Sequence, residues 1–354
     1  MSEKILMKGN EALAEAAIQA GCHHFFGYPI TPQTEVAAYM SKRMPKIGGT
    51  YLQAESEIAA INMVLGASSA GVRAMTSSSS PGISLKTEGI SYMAGSDLPC
   101  LIINVERGGP GLGGIQPSQS DYWQATRATG HGDFHVLVLA PSTVQEMVTC
   151  VFKAFDLAEK YRMPAMILAD GMLGQMMEPI VIPEALSGPG IAKPWATNGH
   201  QDKRPHNIVN SLYLQPAELE EKNFERFRRY KVIEENEPLA ESICTEDAEL
   251  IVVAFGASSR IARSAVNAAR EKGIKVGIIR PITLWPFPKK VLAEAAKTAK
   301  AFLSVEMNMG QMVDDVRLAI NCSRPVHFYG RTGGIIPSPA EVLDQIEKLT
   351  GGAK

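Results

Sequence analysis

The stretch VLVLAPSTVQEMVTCVFKAFDLAEKYRMPAMILAD, residues 136–170, decides the fold. It opens on a continuous apolar run, residues 136–140, and closes on another, residues 165–169. Between them, residues 143–159 have helix-forming composition. A strand that is apolar at every position is buried on both faces. Two such strands joined by a helix make a parallel pair with a crossover. The same alternation runs upstream. Residues 10–20, 34–43 and 56–69 read as helices, and residues 23–28, 73–76 and 100–105 as strands. It resumes near Asp247, with strands at residues 250–255, 276–279 and 301–305. Helices are expected there at residues 258–271, 289–298, 311–320 and 341–349. The intervening segment carries prolines, glycines and a charged stretch, residues 217–235, that reads as a solvated helix with no apolar face of its own. The expected fold is therefore α/β: two doubly wound parallel-sheet domains, residues 1–183 and 247–354, joined by a linker, residues 184–246.

The chain has 354 residues, 45% apolar and 20% charged, which suits two globular domains with sizeable cores. A net charge of −2 gives no sign of nucleic-acid or anionic-membrane binding. No signal peptide precedes the first helical pattern, and the apolar runs are strand length, so a cytoplasmic protein is expected. The five cysteines stand singly, and none forms the Cys-x-x-Cys of a zinc ribbon or iron–sulfur loop. Cys100 and Cys150 lie in apolar settings that favour reduced, buried thiols.

Three segments carry chemistry. In the first, Glu57 opens a helix, with Ala60 three residues on and Gly66 nine on. This spacing resembles the pyrimidine-binding segment of thiamine-diphosphate enzymes. A carboxyl group hydrogen-bonded to the ring nitrogen N1′ promotes the imine form of the neighbouring amino group, which then removes the C2 proton. The carboxyl works best out of water. Glu57 shares a helical face with Ile61 and Val64, while Ala60 and Gly66 would allow close packing around the ring. The competitor Glu55 would place Ile58 and Val64 at the small-residue positions. The bland reading of Glu57 is an acid that stabilises a helix N-terminus.

The second segment, Gly27-Tyr-Pro-Ile-Thr-Pro32, is a strand end made rigid by two prolines, with Thr31 between them. Open α/β sheets bind ligands at such ends. The third, Asn104 to Gly114, runs from a strand end through Arg107 into glycines. Gly109 to Gly114 matches G-x-G-x-x-G, but the following Ile115-Gln-Pro-Ser reads as loop, whereas a dinucleotide fingerprint opens a helix. The favoured reading is a mobile loop beside an Arg107 that can hold a carboxylate with two parallel hydrogen bonds.

Together with the serine-rich residues 77–82, taken as a loop, and Ser118-Gln-Ser-Asp121, these segments occur in this order in the 2-oxoacid:ferredoxin oxidoreductases, which the chain resembles over nearly its whole length. The opening Lys8-Gly-Asn-Glu-Ala12 looks most like the branched-chain (2-oxoisovalerate) members, then the 2-oxoglutarate members. The resemblance implies a thiamine-diphosphate pyrimidine-binding domain followed by a transketolase C-terminal-like domain. It implies Glu57 as the cofactor-activating residue, Thr31 and Arg107 as contacts of the 2-oxoacid carboxylate, and Ile30, Ser80 and Pro81 as further cofactor contacts. No metal ligand is expected on this chain. Mg²⁺ with the diphosphate site, and a [4Fe-4S] cluster, are expected on partners: a diphosphate-binding catalytic subunit, and iron–sulfur ferredoxin-like and gamma-type subunits. Coenzyme A and ferredoxin would be co-substrates, and Glu57 would stay partly exposed until assembly. The rival of another class is a non-catalytic docking or regulatory subunit. No chemistry is assigned to residues 306–311, and the turn at Arg331 to Gly334 reads as solvated.

Overall fold

The computed structural model describes residues 4–184 and 191–351, so residues 185–190 of the expected linker lie outside the described residues. In chain order the elements are β1 (Ile5–Lys8), α1 (Gly9–Gln19), β2 (His24–Gly27), α2 (Thr34–Arg43), β3 (Thr50–Gln53), α3 (Glu57–Ser69), β4 (Ala74–Ser78), α4 (Ser80–Gly95), β5 (Cys100–Glu106), α5 (Tyr122–Thr126), β6 (Leu137–Leu139), α6 (Val144–Tyr161), β7 (Pro164–Asp170), α7 (Gly171–Gln175) and β8 (Met177–Ile180). Then come α8 (Pro216–Asn236), β9 (Ala240–Ile243), β10 (Leu250–Val253), α9 (Gly256–Glu271), β11 (Val276–Pro281), β12 (Thr283–Trp285), α10 (Lys289–Ala295), β13 (Ala301–Glu306), α11 (Met312–Ala319), β14 (Val326–Gly330) and α12 (Pro339–Thr350).

The crossover that opens the sequence argument is present. Strand β6 pairs in parallel with β7, and α6 between them is capped by Thr143, whose side chain accepts the Glu146 N–H. Strand β7 also pairs with β5 from Cys100↔Pro164 to Glu106↔Asp170, and both strands are buried throughout. The seven-stranded sheet runs β12-β6-β7-β5-β4-β2-β3, and a five-stranded sheet runs β14-β13-β10-β11-β9. Neither is purely parallel. Each carries one antiparallel edge strand, β12 and β9, which the sequence reading does not contain. Strands of three and four residues show no readable period. Strand β12 comes from the second half of the chain yet extends the first sheet. A buried Arg280 reinforces that junction by binding Glu146 through both terminal nitrogens, at 2.9 and 2.7 Å.

Two expectations need correction. Helix α8 does have an apolar stripe: Arg226, Tyr230 and Ile233 are buried at one helical face. Tyr230 meets Trp285 edge-on at 5.3 Å, and His135 stacks on the same indole at 4.6 Å. The stripe is narrow, and one of its members is an arginine whose stem packs while its head pairs. The serine-rich residues 77–82 are not a loop. Ser77 and Ser78 end β4, and α4 starts at Ser80 with Pro81 in its first turn. Of the cysteines, Cys22, Cys100 and Cys150 are buried thiols, while Cys244 and Cys322 are exposed. No described helix is long and apolar enough to cross a membrane.

Candidate active site

Strands β5, β4 and β2 are neighbours, and their carboxyl ends present three of the segments singled out above. The turn after β2 contains a cis Thr31–Pro32 bond and is fixed from three sides. Gln33, fully buried, donates to the Tyr28 carbonyl at 3.2 Å and accepts from the Ser77 hydroxyl at 2.6 Å. Asn10 donates to the Pro32 carbonyl at 2.8 Å. Arg107, just past β5, donates through Nη1 to the Thr31 carbonyl at 3.0 Å and through Nη2 to the Leu112 carbonyl at 3.3 Å. Thr31 and Arg107 are thus adjacent, joined through the Thr31 backbone. The Thr31 side of the turn faces a cleft of about 380 Å³, lined also by Glu35, Ile115, Gln116 and Gly171. Ile30 is half-buried beside it in sequence.

Ser80 fastens the start of α4 to the end of β5. Its hydroxyl accepts the Arg107 N–H at 3.0 Å, and its own N–H donates to Asn104 Oδ1 at 3.2 Å. Asn104 in turn donates to Asp121 at 2.8 Å. Burial, reinforced by Asp121 and then Asp170, pushes the Glu106 carboxyl well above the usual carboxylate range. Burial likewise raises Asp170, to about 6.

Glu57 and Glu55 part company. Glu55 is exposed, whereas Glu57 is 6% exposed at the first turn of α3, which Ser56 caps by accepting the Ala59 N–H. The expected partial exposure of Glu57 is therefore not found. Helix α4, absent from the sequence reading, lies against it. A Cβ added at Gly82 would stand 2.6 Å from Glu57 Oε1 and 2.1 Å from Ser78 Oγ. Close approach comes from Gly82 and from Gly89, whose added Cβ would reach Ile61 at 2.5 Å. Gly66, expected to provide it, is exposed with open space around it. Among the described residues, Thr76 Oγ1, Ser78 Oγ, Ser79 Oγ and Lys86 Nζ are buried without a hydrogen-bond partner. A buried carboxyl beside unpartnered hydroxyls and a Cβ-free backbone suits a flat, polar heteroaromatic ring, so these residues fit an aminopyrimidine.

The glycine-rich segment is a closed loop and opens no helix. Arg107 bridges Pro117, and Gly108 donates to the Gln116 carbonyl at 3.0 Å. Gly111 and Gly113 take φ of 68° and 56°. The geometry of a dinucleotide fingerprint is missing. The turn at Arg331 is exposed at Thr332 and Gly333, as a solvated turn should be, while a Cβ at Gly334 would come 2.4 Å from Gln116 and Arg331 pairs with Glu341. Residues 306–311 now have a structural role. Glu306 accepts the N–H groups of Gln311, Met312 and Val313 and so caps α11. Asn308 donates to the Gln119 carbonyl at 2.7 Å, and Gln119 reaches the Phe255 carbonyl at 2.8 Å, which docks the loop after β5 onto the second sheet. Sequence reasoning missed Gln33, Asn104 and Lys86 as parts of this region. Asn104 stood inside a quoted segment without a role, Gln33 one residue past another, and Lys86 carried no signal. Among the described residues, no group of three or more His, Cys, Asp and Glu side chains is placed to hold a metal ion.

Comparison with known proteins identifies the family and the fold. Residues 15–237 match the family model described as pyruvate flavodoxin/ferredoxin oxidoreductase, thiamine diP-bdg, and residues 248–342 match pyruvate:ferredoxin oxidoreductase core domain II. The ketoisovalerate oxidoreductase subunit VorB of Methanothermobacter thermautotrophicus is 49% identical, over 98% of both chains. The 2-oxoglutarate synthase subunit KorA of the same organism is 36% identical, over 99% of this chain and all of its own. A solved 2-oxoglutarate:ferredoxin oxidoreductase from Magnetococcus marinus, with 2-oxoglutarate, coenzyme A and succinyl-CoA bound, superposes with a TM-score of 0.85 at 30% identity. The match covers 98% of this chain and 65% of that one. A split-gene transketolase, at a TM-score of 0.61 and 14% identity over 98% of each chain, shares the fold. The chain belongs to the 2-oxoacid:ferredoxin oxidoreductases, as a subunit that carries their thiamine-diphosphate-binding domain.

Proposed function

We propose that this chain is the pyrimidine-side subunit of a 2-oxoisovalerate:ferredoxin oxidoreductase. The assembled enzyme would turn a branched 2-oxoacid and coenzyme A into acyl-CoA, CO2 and reduced ferredoxin. The observation that carries the substrate is the full-length 49% identity to a ketoisovalerate subunit, against 36% to a 2-oxoglutarate subunit. In this reading residues 1–183 form the pyrimidine-binding domain, 184–246 the linker and 247–354 the transketolase C-terminal-like domain.

When bound, thiamine diphosphate would supply a nucleophilic carbon and an electron sink for decarboxylation of the 2-oxoacid. This chain's residues make that possible in separate ways. Glu57 holds a proton at the pyrimidine nitrogen from a buried position, where the hydrogen bond is strong. Ile30, Ser80 and Pro81 shape the ring's surroundings. Arg107 and Thr31 orient the substrate carboxylate, and Arg107 Nε, buried without a partner among the described residues, has hydrogen-bonding capacity to spare. We assign Mg²⁺ and the diphosphate site to the catalytic partner, and the [4Fe-4S] cluster to iron–sulfur ferredoxin-like or gamma-type subunits, in a cytoplasmic complex. The test is to purify the native complex and compare branched 2-oxoacids with 2-oxoglutarate, using a ferredoxin or dye acceptor. A kcat/KM at least about tenfold higher for 2-oxoisovalerate is expected, the scale of a few methylene contacts. Preference for 2-oxoglutarate would overturn the substrate assignment.

A further inference from the structure

Lys86 is the unexplained residue of this site. It lies on α4 one turn beyond Gly82, the residue pressed against Glu57 and Ser78. Its relative exposure is 0%, and its Nζ has no hydrogen-bond partner among the described residues. A buried ammonium without a partner works against folding unless it does something else. The packed elements offer few candidates for what it answers to. Helix α3 brings Glu57, β4 brings only hydroxyls, β5 brings Cys100 and Glu106 and leads to Arg107, β7 brings Asp170, and α4 itself carries Glu88. Burial disfavours the Lys86 ammonium, and the Glu57 carboxylate on the neighbouring helix favours it.

We propose that Lys86 is a positioning residue for Glu57, a buried cation that stabilises the Glu57 carboxylate when its proton passes to the pyrimidine nitrogen of the cofactor. This rests on the proposed role of Glu57. With the cofactor bound, the proton shared between Glu57 and the ring nitrogen would pass to nitrogen, the O–H bond breaking as the N–H bond forms, and the carboxylate so left would be the charge that Lys86 on the adjacent helix meets in the cofactor-free chain. Burial pushes the Lys86 ammonium down to about 8, against the opposing pull of Glu57. Lys86 therefore holds its proton at neutral pH and loses it in mild alkali.

Two experiments test it. The first uses the cofactor-free full chain with ¹³Cε-labelled lysine, K86M identifying the Lys86 resonance. The resonance should titrate near pH 8 in the native chain and at lower pH in E57Q. An ordinary lysine midpoint, or no response to E57Q, overturns the coupling. The second uses the assembled complex. In K86M and in K86Q, kcat should fall about tenfold or more, the scale of one unit of proton affinity, with the KM of the 2-oxoacid unchanged. The alkaline limb of the pH–rate profile should vanish, while the melting temperature of the K86M chain stays level or rises. Normal turnover in K86M, restoration by the uncharged K86Q, or a fall in melting temperature that parallels lost activity would each overturn the proposal. The two readings separate cleanly: a fully active E57Q sinks both, whereas an inactive E57Q with a normal K86M sinks only the role of Lys86.

Discussion

Glu55 and Glu57 stand two residues apart on one chain, one exposed and the other 6% exposed against the backbone of Gly82. That contrast was legible in the helical face that Glu57 shares with the buried Ile61 and Val64, whereas the spacing to Gly66 was no guide, since Gly66 is exposed. The residues that hold Glu57 in place were not. Lys86 is one polar side chain in an otherwise unremarked segment, and its burial depends on how α3 and α4 cross. Thr31 and Arg107 were legible as strand-end residues, but their link through the Thr31 carbonyl was not. The geometry predicts how they respond. Arg107→Lys keeps charge but cannot donate in the same fork, so the KM of the 2-oxoacid should rise with cofactor binding intact. Thr31→Val removes one hydroxyl and should act in the same direction, by about 0.5–1.5 kcal/mol. Steady-state kinetics on the assembled complex decides this. An unchanged KM in both variants would remove them from the substrate site.

At the scale of elements, the long continuous strands were legible because every position in β5 and β7 is buried and apolar character follows burial. Helix α4 was not, since Ser79-Ser80-Pro81-Gly82 has the composition of a loop. The proline there is instead a first-turn helix residue. The crossing of α3 and α4 depends on glycine, and two alanine substitutions test that. Gly82→Ala would force a Cβ to 2.1 Å from Ser78 Oγ. It should cost about 1–3 kcal/mol, as overpacking does, and should also depress activity by moving Glu57. Gly66→Ala meets open space on an exposed helical position and should stabilise the chain by about 0.5–1 kcal/mol. Denaturant midpoints of the two variants should move in opposite directions. Equal shifts would mean that the glycines were assigned the wrong roles.

For the whole molecule, the α/β class followed from the alternation of strands and helices, while the joining of its two sheets did not. Strand β12 crosses to the first sheet, and Gln119, Asn308, Arg280 and Tyr230 tie the halves together through contacts between residues far apart in sequence. In the proposed reading the chain supplies the pyrimidine end of a cofactor site, and charged, multidentate contacts to a diphosphate and its metal normally provide most of the binding energy. The isolated chain with Mg²⁺ present should therefore bind thiamine diphosphate weakly or not at all by calorimetry, and assembly with its partners should restore tight binding. Tight binding by the lone chain would reveal a diphosphate site within it.

We propose above all that Glu57 performs acid–base work on the cofactor. Its direct test is turnover of the reconstituted complex with Glu57→Gln, with Glu55→Gln as control. The substitution keeps the size of the side chain, so fold and assembly should survive. Acceptor reduction driven by the 2-oxoacid should fall about 10²-fold or more for Glu57→Gln, the usual scale for a lost acid–base contribution, and stay near normal for Glu55→Gln. Near-normal turnover of the Glu57→Gln complex would contradict it.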